Sequence, residues 1–296
     1  MKKPKIAVIG SSSMDLVVTS KRRPLAGETV LGESFEMVPG GKGANQAVAA
    51  ARLGAEVHMI GCVGDDTYGK DILDNFKNNG VHIGYVKQIT NQSSGTAHII
   101  LAEGDNSIVV VKGANDFVTP EYVNQSLTLL KKFDLVMIQQ EVPEETVLEA
   151  VRLCHEIGVP LLLNPAPARA ISNEVVDKAA YLTPNEHEAG MLFNGLELSK
   201  ALEKYHNKLF ITEGAAGVRY HDGSGEHLVP SFPVKVVDTT GAGDTFNAAF
   251  GTAIAEGRDL KESLRFANRA ASMSVTGFGA QGGMPTREEV EKGLAE

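Results

Sequence analysis

Tryptophan is absent from this 296-residue chain and aromatic residues make up only 6% of it. Basic residues are in the minority, with 28 Lys and Arg against 37 Asp and Glu for a formal net charge of −9. No basic stripe with interleaved aromatics exists, so no nucleic acid is expected as a partner. Anionic ligands remain open, because a helix terminus binds them locally whatever the global charge. Cysteine is scarce: Cys62 and Cys154 lie far apart in apolar runs with no pattern of metal ligands around them, and such cysteines behave as small buried hydrophobes. No apolar run approaches the length of a membrane span. The N-terminal "MKKPKIAVIGSSS" has basic residues, but its apolar core is only IAVIG, too short for a signal sequence; the expectation is a cytoplasmic protein with no membrane partner. Repeats and low-complexity tracts are also lacking. What is present is ordinary for a globular chain, 43% hydrophobic and 22% charged, and long enough to bury a substantial core in one large domain or two.

Short β-rich runs alternate with helical patterns. "KIAVIG", "EVHMIGCVG", "DLVMIQQ" and "VPLLLNP" read as continuous apolar strands of the buried, parallel type. "GANQAVAAARLG", "YGKDILDNFKNNG" and "EETVLEAVRLCHEIG" between them have helical spacing, and each ends in glycine. Further strands are expected in "AAYLTP", "KLFITEG", "GVRYHD", "GEHLVPS" and "VKVVD", followed by helices over Asp244–Glu256 and Leu260–Thr276. The alternation predicts a three-layer α/β/α fold with a mostly parallel central sheet, and such folds gather ligands at the carboxyl ends of their strands. Two segments break the pattern. Asp15–Gly40 has strand chemistry but no helix, and Ser94–Gly113 is a hairpin of two β-branched runs joined by Glu-Gly-Asp-Asn. Together they predict a small antiparallel sheet over residues 15–40 and 94–113, projecting from a body of residues 1–14, 41–93 and 114–296. One face of it needs cover, from a ligand or from a second subunit.

The chemistry gathers at the strand-to-helix junctions. In "DTTGAGDTF" a helix beginning near Gly243 or Asp244 leaves the N–H groups of residues 241–244 free where the helix dipole is positive. That is a cradle for a phosphate oxygen or a developing negative charge, with Asp244 beside it to take a proton from an attacking hydroxyl. Taken alone, the same residues also make a capped tight turn. "PGGKGANQ" is not a Walker A loop, which needs Ser or Thr after its Lys and four residues between its glycines. It leaves Lys42 and Asn45 on a glycine-rich turn, an ammonium and an amide suited to a polyhydroxylated ligand, or to solvent and a helix start. Asp15 closes the polar turn "GSSSMD" at a strand's carboxyl end, where a carboxylate accepts from adjacent hydroxyls of a sugar or shapes the turn. "LTPNEHEAG" adds Asn185, Glu186 and Glu188 after another strand, and the two acids hold water around Mg²⁺ or form the acidic first turn of a helix. Thr212, Gly214 and Gly217 form a turn along a nucleotide or a plain hairpin. His187 alone makes no metal site.

Taken together, "GGKGANQAVAAARLG" and "DTTGAGDTF" resemble the two signatures of the ribokinase-like (PfkB) family of sugar and nucleoside kinases, and the similarity runs from about Lys5 to Thr286. "NPAPAR", "TPNEHEA" and "GAQGGMP" narrow it to the D-ribose kinases of that family. The resemblance implies transfer of the γ-phosphoryl group of ATP to O5 of D-ribose, with the small sheet as a lid that also pairs two subunits into a homodimer. It makes Asp244 the catalytic base and Gly241, Ala242 and Gly243 the anion hole. It implies sugar contacts from Ser13, Met14, Asp15, Gly41, Lys42, Gly43, Ala44, Asn45, Glu141 and Asp244. ATP contacts fall on Asn185, Thr212, Glu213, Gly214, Ala215, Ala216, Gly217, Gly243, Asp244 and Asn268. A K⁺ site falls on Asp238, Thr240, Ser274, Gly277, Gly279 and Gly283, and Glu188 holds Mg²⁺ through water. The chain departs from the pattern at Ser13, where the family often has Asn two residues before the sugar-binding Asp. Another sugar or nucleoside kinase of the family, or a non-catalytic sensor on the same fold, is the alternative.

Overall fold

The computed structural model describes residues 3–295; the ends of the expected body at Met1, Lys2 and Glu296 lie outside them. The strands are β1 (Lys5–Ile9), β2 (Ser13–Thr19), β3 (Ser34–Gly40), β4 (Glu56–Gly64), β5 (His82–Ile89), β6 (Gly95–Ala102), β7 (Asp105–Val111), β8 (Leu135–Ile138), β9 (Leu161–Leu163), β10 (Tyr181–Leu182), β11 (Phe210–Thr212), β12 (Gly217–His221) and β13 (Glu226–Pro230). The helices are α1 (Lys42–Arg52), α2 (Thr67–Asn78), α3 (Pro120–Gln125), α4 (Leu127–Leu130), α5 (Glu144–Ile157), α6 (Asn173–Lys178), α7 (Glu186–Leu192), α8 (Leu198–Lys204), α9 (Ala242–Ala255), α10 (Leu260–Ser274) and α11 (Arg287–Ala295).

Six strands form the expected parallel sheet in the order β10-β9-β8-β1-β4-β5. Its central strands are apolar on both faces, and successive residues point to opposite layers. Ile6 and Val8 of β1 join one core cluster with α1, α2, α9 and α10, while Ala7 and Ile9 join the other with α3, α5, α6 and α8. Phe76, Phe250 and Phe266 anchor the first layer, fully buried, each removal from water stabilising the fold by about 1.5–3 kcal/mol. Parallel bridges from Leu182 to Leu209 and from Asn185 to Thr212 continue the sheet toward the antiparallel set β11-β12-β13. Among the described residues no helix is long and apolar enough to cross a membrane.

The small sheet has the order β3-β2-β6-β7. Its outer pairs are antiparallel as expected, but β2 and β6 in the middle run parallel. Both enter from the carboxyl edge of the central sheet, β2 after β1 and β6 after β5, and therefore leave it in the same direction. The β6–β7 loop is tighter than the expected four residues: Ala102 pairs with Asp105, leaving only Glu103 and Gly104, both at positive φ. Two helix bounds also shift, α9 starting at Ala242 and α10 stopping at Ser274. The strand expected at "VKVVD" does not form. Among the described residues no strand pairs with it, Pro233 stands directly before it, and the N–H groups of Val237 and Asp238 both turn to the Val275 carbonyl instead.

Candidate active site

The carboxyl edge of the sheet brings together the loop after β1, the loop after β8, Asn164 after β9, and the first turns of α1 and α9. At its centre is Asp244, in the first turn of α9 and 6% exposed. Asn45 Nδ2 donates to its Oδ2 at 3.0 Å and Gln46 Nε2 donates to its Oδ1 at 3.1 Å. Each donor amide is itself oriented by another. Gln281 Nε2 donates to Asn45 Oδ1 at 2.9 Å, and Gln139 Nε2 donates to Gln46 Oε1 at 2.6 Å. Gln46 Nε2 also reaches Asn164 Oδ1 at 3.2 Å. With both amide oxygens occupied by donors, the Nδ2 and Nε2 ends are left to face the carboxylate. Burial pushes the Asp244 carboxyl up, against the opposing pull of the Lys42 ammonium and the two amides. Lys42 is in turn held above its ordinary value, chiefly by Asp244.

Asp15 is on β2, and burial pushes its carboxyl up to about 6, the Ser13 hydroxyl opposing this and the charges of Glu141 and Asp244 adding to it. Ser13 Oγ donates to Asp15 Oδ1 at 3.1 Å, so the hydroxyl at this departure from the family pattern is turned onto its own neighbour. Glu141 accepts from the Lys42 N–H at 2.8 Å and from the Ser11 hydroxyl. Met14, Gly43 and Ala44 are buried beside these groups, and Gly41 is the N-cap residue of α1.

α9 begins without a side-chain cap. Gly241 is required by the fold itself: its φ is +79°, and a Cβ there would meet the Ala280 carbonyl at 2.3 Å. Gly243 is not, because a Cβ there meets nothing within 4 Å; the space beside it is open cleft. The cradle is smaller than expected, since the Ala242 N–H donates to the Thr239 carbonyl at 3.2 Å. From Gly243 extends a cleft of about 500 Å³. Thr212, Gly214, Ala215, Gly217 and Asn268 line it, together with Phe232, Val236, Phe246 and Val275, which sequence reasoning did not single out. Glu213 and Ala216 are not among the lining residues; the Glu213 carboxylate is taken by the Arg219 guanidinium. Asn268 donates its amide to the carbonyls of Val229 and Pro230, holding the end of β13 against the cleft.

Asn185 does not line the cleft. It caps α7 in a reciprocal pair with Glu188: the Glu188 N–H donates to Asn185 Oδ1 and the Asn185 N–H to Glu188 Oε2, both at 2.8 Å. The other Glu188 oxygen has no hydrogen bond among the described residues, and burial pushes this carboxyl up although the Asn185 N–H and Lys42 oppose it. At the far end of the α9 loop, Asp238 Oδ1 accepts from the Thr240 N–H and hydroxyl at 2.9 and 2.7 Å, and its Oδ2 accepts from the Gly279 N–H at 2.9 Å. Burial would raise Asp238, but those three donors outweigh it and hold the carboxyl below its ordinary value. One carboxylate thus ties the loop before α9 to the loop that carries Gly277, Gly279 and Gly283. The Ser274 carbonyl packs directly on Gly283.

Residues 3–287 match the family of pfkB carbohydrate kinases. The chain is 66% identical over 290 residues to the ribokinase of Bacillus subtilis, covering 98% of this chain and 99% of that one. It is 49% identical over 296 residues to the ribokinase of Lactococcus lactis, covering 99% and 97%. Its structure matches that of Arabidopsis thaliana ribokinase complexed with ribose and ATP at a TM-score of 0.92 and 34% identity, over the full length of both chains.

The raised Asp15 carboxyl has a consequence for stability. Its folded form keeps its proton to higher pH than the unfolded form, so its stabilising contribution is full below the ordinary Asp value of 3.8 and is lost as pH rises through about 6. Asp15→Asn is expected to melt higher than the parent near neutral pH without ligand and to flatten the decline across this window. Identical melting profiles from acidic to neutral pH would contradict this.

Proposed function

Because the chain belongs to the pfkB family of carbohydrate kinases, we infer that it is a phosphotransferase with an alcohol group as acceptor, and that it phosphorylates D-ribose with ATP. The acceptor hydroxyl is O5 and the products are D-ribose 5-phosphate and ADP. The same reading assigns the enzyme to the cytoplasm, where ATP is available. The observation that supports the assignment of roles is the junction at Gly243, where the open cleft meets the uncapped first turn of α9 and the buried, amide-held Asp244.

ATP lies in the cleft with its phosphates toward Gly243. Asp15, Lys42, Asn45 and Glu141 bind the sugar hydroxyls, with the backbone of Gly41–Ala44 and Met14 closing around the ring. Asp244 takes the proton of the O5 hydroxyl as the new O–P bond forms and the bond from the γ-phosphorus to the bridging oxygen breaks, ADP leaving with that electron pair. A carboxylate whose affinity for a proton is raised by burial is suited to this work near neutral pH. The amides at Gly243 and Asp244 and the positive end of α9 stabilise charge that grows on the transferring group. Mg²⁺, when bound with ATP, neutralises phosphate charge; Glu188, with one oxygen free of the capping pair, would hold its water. K⁺ suits the Asp238 carboxylate and the carbonyls of the loop from Ser274 to Gly283, which are all oxygen donors, and would brace the two loops that Asp238 already ties.

The small sheet is the lid of this site, for β2 carries Asp15 on the strand that leads into it. Its outer strands leave Phe35, Met37, Val109 and Val111 about half exposed or more. Pairing of two lids would cover them in an isologous homodimer.

ATP consumption coupled to ADP release is expected to depend on D-ribose, and a panel with fructose, nucleosides and sugar phosphates is expected to give far less turnover. Asp244→Asn should keep ATP binding and lose about 10²–10⁴-fold in kcat; a variant retaining a tenth or so of parental turnover removes Asp244 as the base. Exchange of K⁺ for Na⁺ at constant ionic strength is expected to lower kcat several-fold with little change in ribose affinity, and Asp238→Ala to abolish that response; equal rates in both salts would end the cation proposal. Light scattering at micromolar concentration should give the dimer mass, and a fully active monomer would rule out pairing through the lid.

A further inference from the structure

At the opposite edge of the central sheet, three side chains with metal-ligand chemistry converge away from the site just described. Glu56 opens β4 and His58 follows two residues later, which places both on one face of the strand. His82 opens β5, the edge strand, and is the register partner of His58. The two imidazoles stack with ring centroids 4.4 Å apart and planes 25° from parallel. His58 Nε2 is 3.5 Å from Glu56 Oε1. One ligand atom from each of the three residues lies within 4.8 Å of the others. The Phe133 ring packs nearly perpendicular to that of His58, with centroids 5.1 Å apart, an apolar wall on one side.

We propose that Glu56, His58 and His82 form a binding site for a divalent transition ion of the zinc class, on the amino edge of the sheet and separate from phosphoryl transfer. Two imidazoles and a carboxylate are the donor set that such ions take, with a fourth position left for water, and imidazole disfavours the harder Mg²⁺. The native competitor is the Lys5 ammonium, 3.1 Å from Glu56 Oε1, which the ion must displace from that oxygen. The ligands stand on two paired strands, so the backbone sets their spacing rather than a loop. The β4–β5 pairing slips immediately after the His58–His82 pair. An ion bridging the two strands there would pin the edge strand at its weakest point of register.

Isothermal titration of the full chain with Zn²⁺ near neutral pH, free of chelators and nucleotide, is expected to give binding at micromolar or lower concentration, together with a higher melting temperature. His82 is exposed, so His82→Ala should fold like the parent and bind Zn²⁺ at least about tenfold more weakly. Glu56→Gln should weaken binding in the same direction. His227→Ala, which removes the exposed imidazole beside Asp222, should leave the titration unchanged. Co²⁺ should give the visible absorption of a four-coordinate ion in the parent and lose it in His58→Gln. No binding by the parent, or a His82→Ala titration that matches it, overturns the proposal. So does loss of binding in His227→Ala alone, which would place the ion on the other imidazole.

Discussion

Burying a carboxylate is costly unless its oxygens meet donors, and the two oxygens of Asp244 meet Asn45 and Gln46 from the first turn and a half of α1. That requirement fixes more than one side chain. It draws the amino ends of α1 and α9 to the same point above the sheet, and the two helices pack together below it through small residues such as Ala44, Ala47, Ala248 and Ala249. It also recruits Gln139 and Gln281, because an amide whose oxygen is already engaged can offer only its nitrogen to the carboxylate. Gln281 reaches further still: its carbonyl accepts from Arg52 and its side-chain oxygen from Asn75. The loop beyond α10 is therefore anchored on α1 and α2 and, through Asn45, on Asp244.

This arrangement makes the proposed chemistry a matter of fixed geometry. The site holds three further charged groups close enough to act on one another, Asp15, Lys42 and Glu141. Burial weighs on the acids, and Asp15 in particular is held in a protonation balance unlike that of a surface carboxylate. In the proposed reading, hydroxyls of a bound polyol would supply donors to these acids.

The parallel sheet also divides the molecule into two ends of different character. Its carboxyl edge gathers loops, helix starts and nearly all the buried polar side chains discussed above. Its amino edge is mostly closed by short turns, and Glu56, His58 and His82 are the exception among the described residues. A parallel sheet places every strand start on one edge, so a two-residue spacing on β4 and one register pairing suffice to bring them together.

Much was legible in sequence because it depends on local order. Continuous apolar runs identify parallel central strands, and glycine with an acid at a strand-to-helix junction marks the uncapped helix start that carries Asp244. Resemblance in two contiguous motifs extended that to the family. Other features had no local sign. "VKVVD" has strand chemistry but no neighbour to pair with, and a strand without a partner is not a strand. The small sheet was legible as a sheet, but its parallel middle pair follows from where β2 and β6 leave the body. Gln46, Gln139 and Gln281 stand within or beside the quoted motifs, yet glutamine carries no signature of its own, and its partners here lie 93 to 236 residues away in the chain. The sequence by itself determined which segments fold and which chemistry their junctions hold; only the tertiary structure decided which oxygens and amides meet, because a hydrogen bond depends on distance in space and not on separation along the chain.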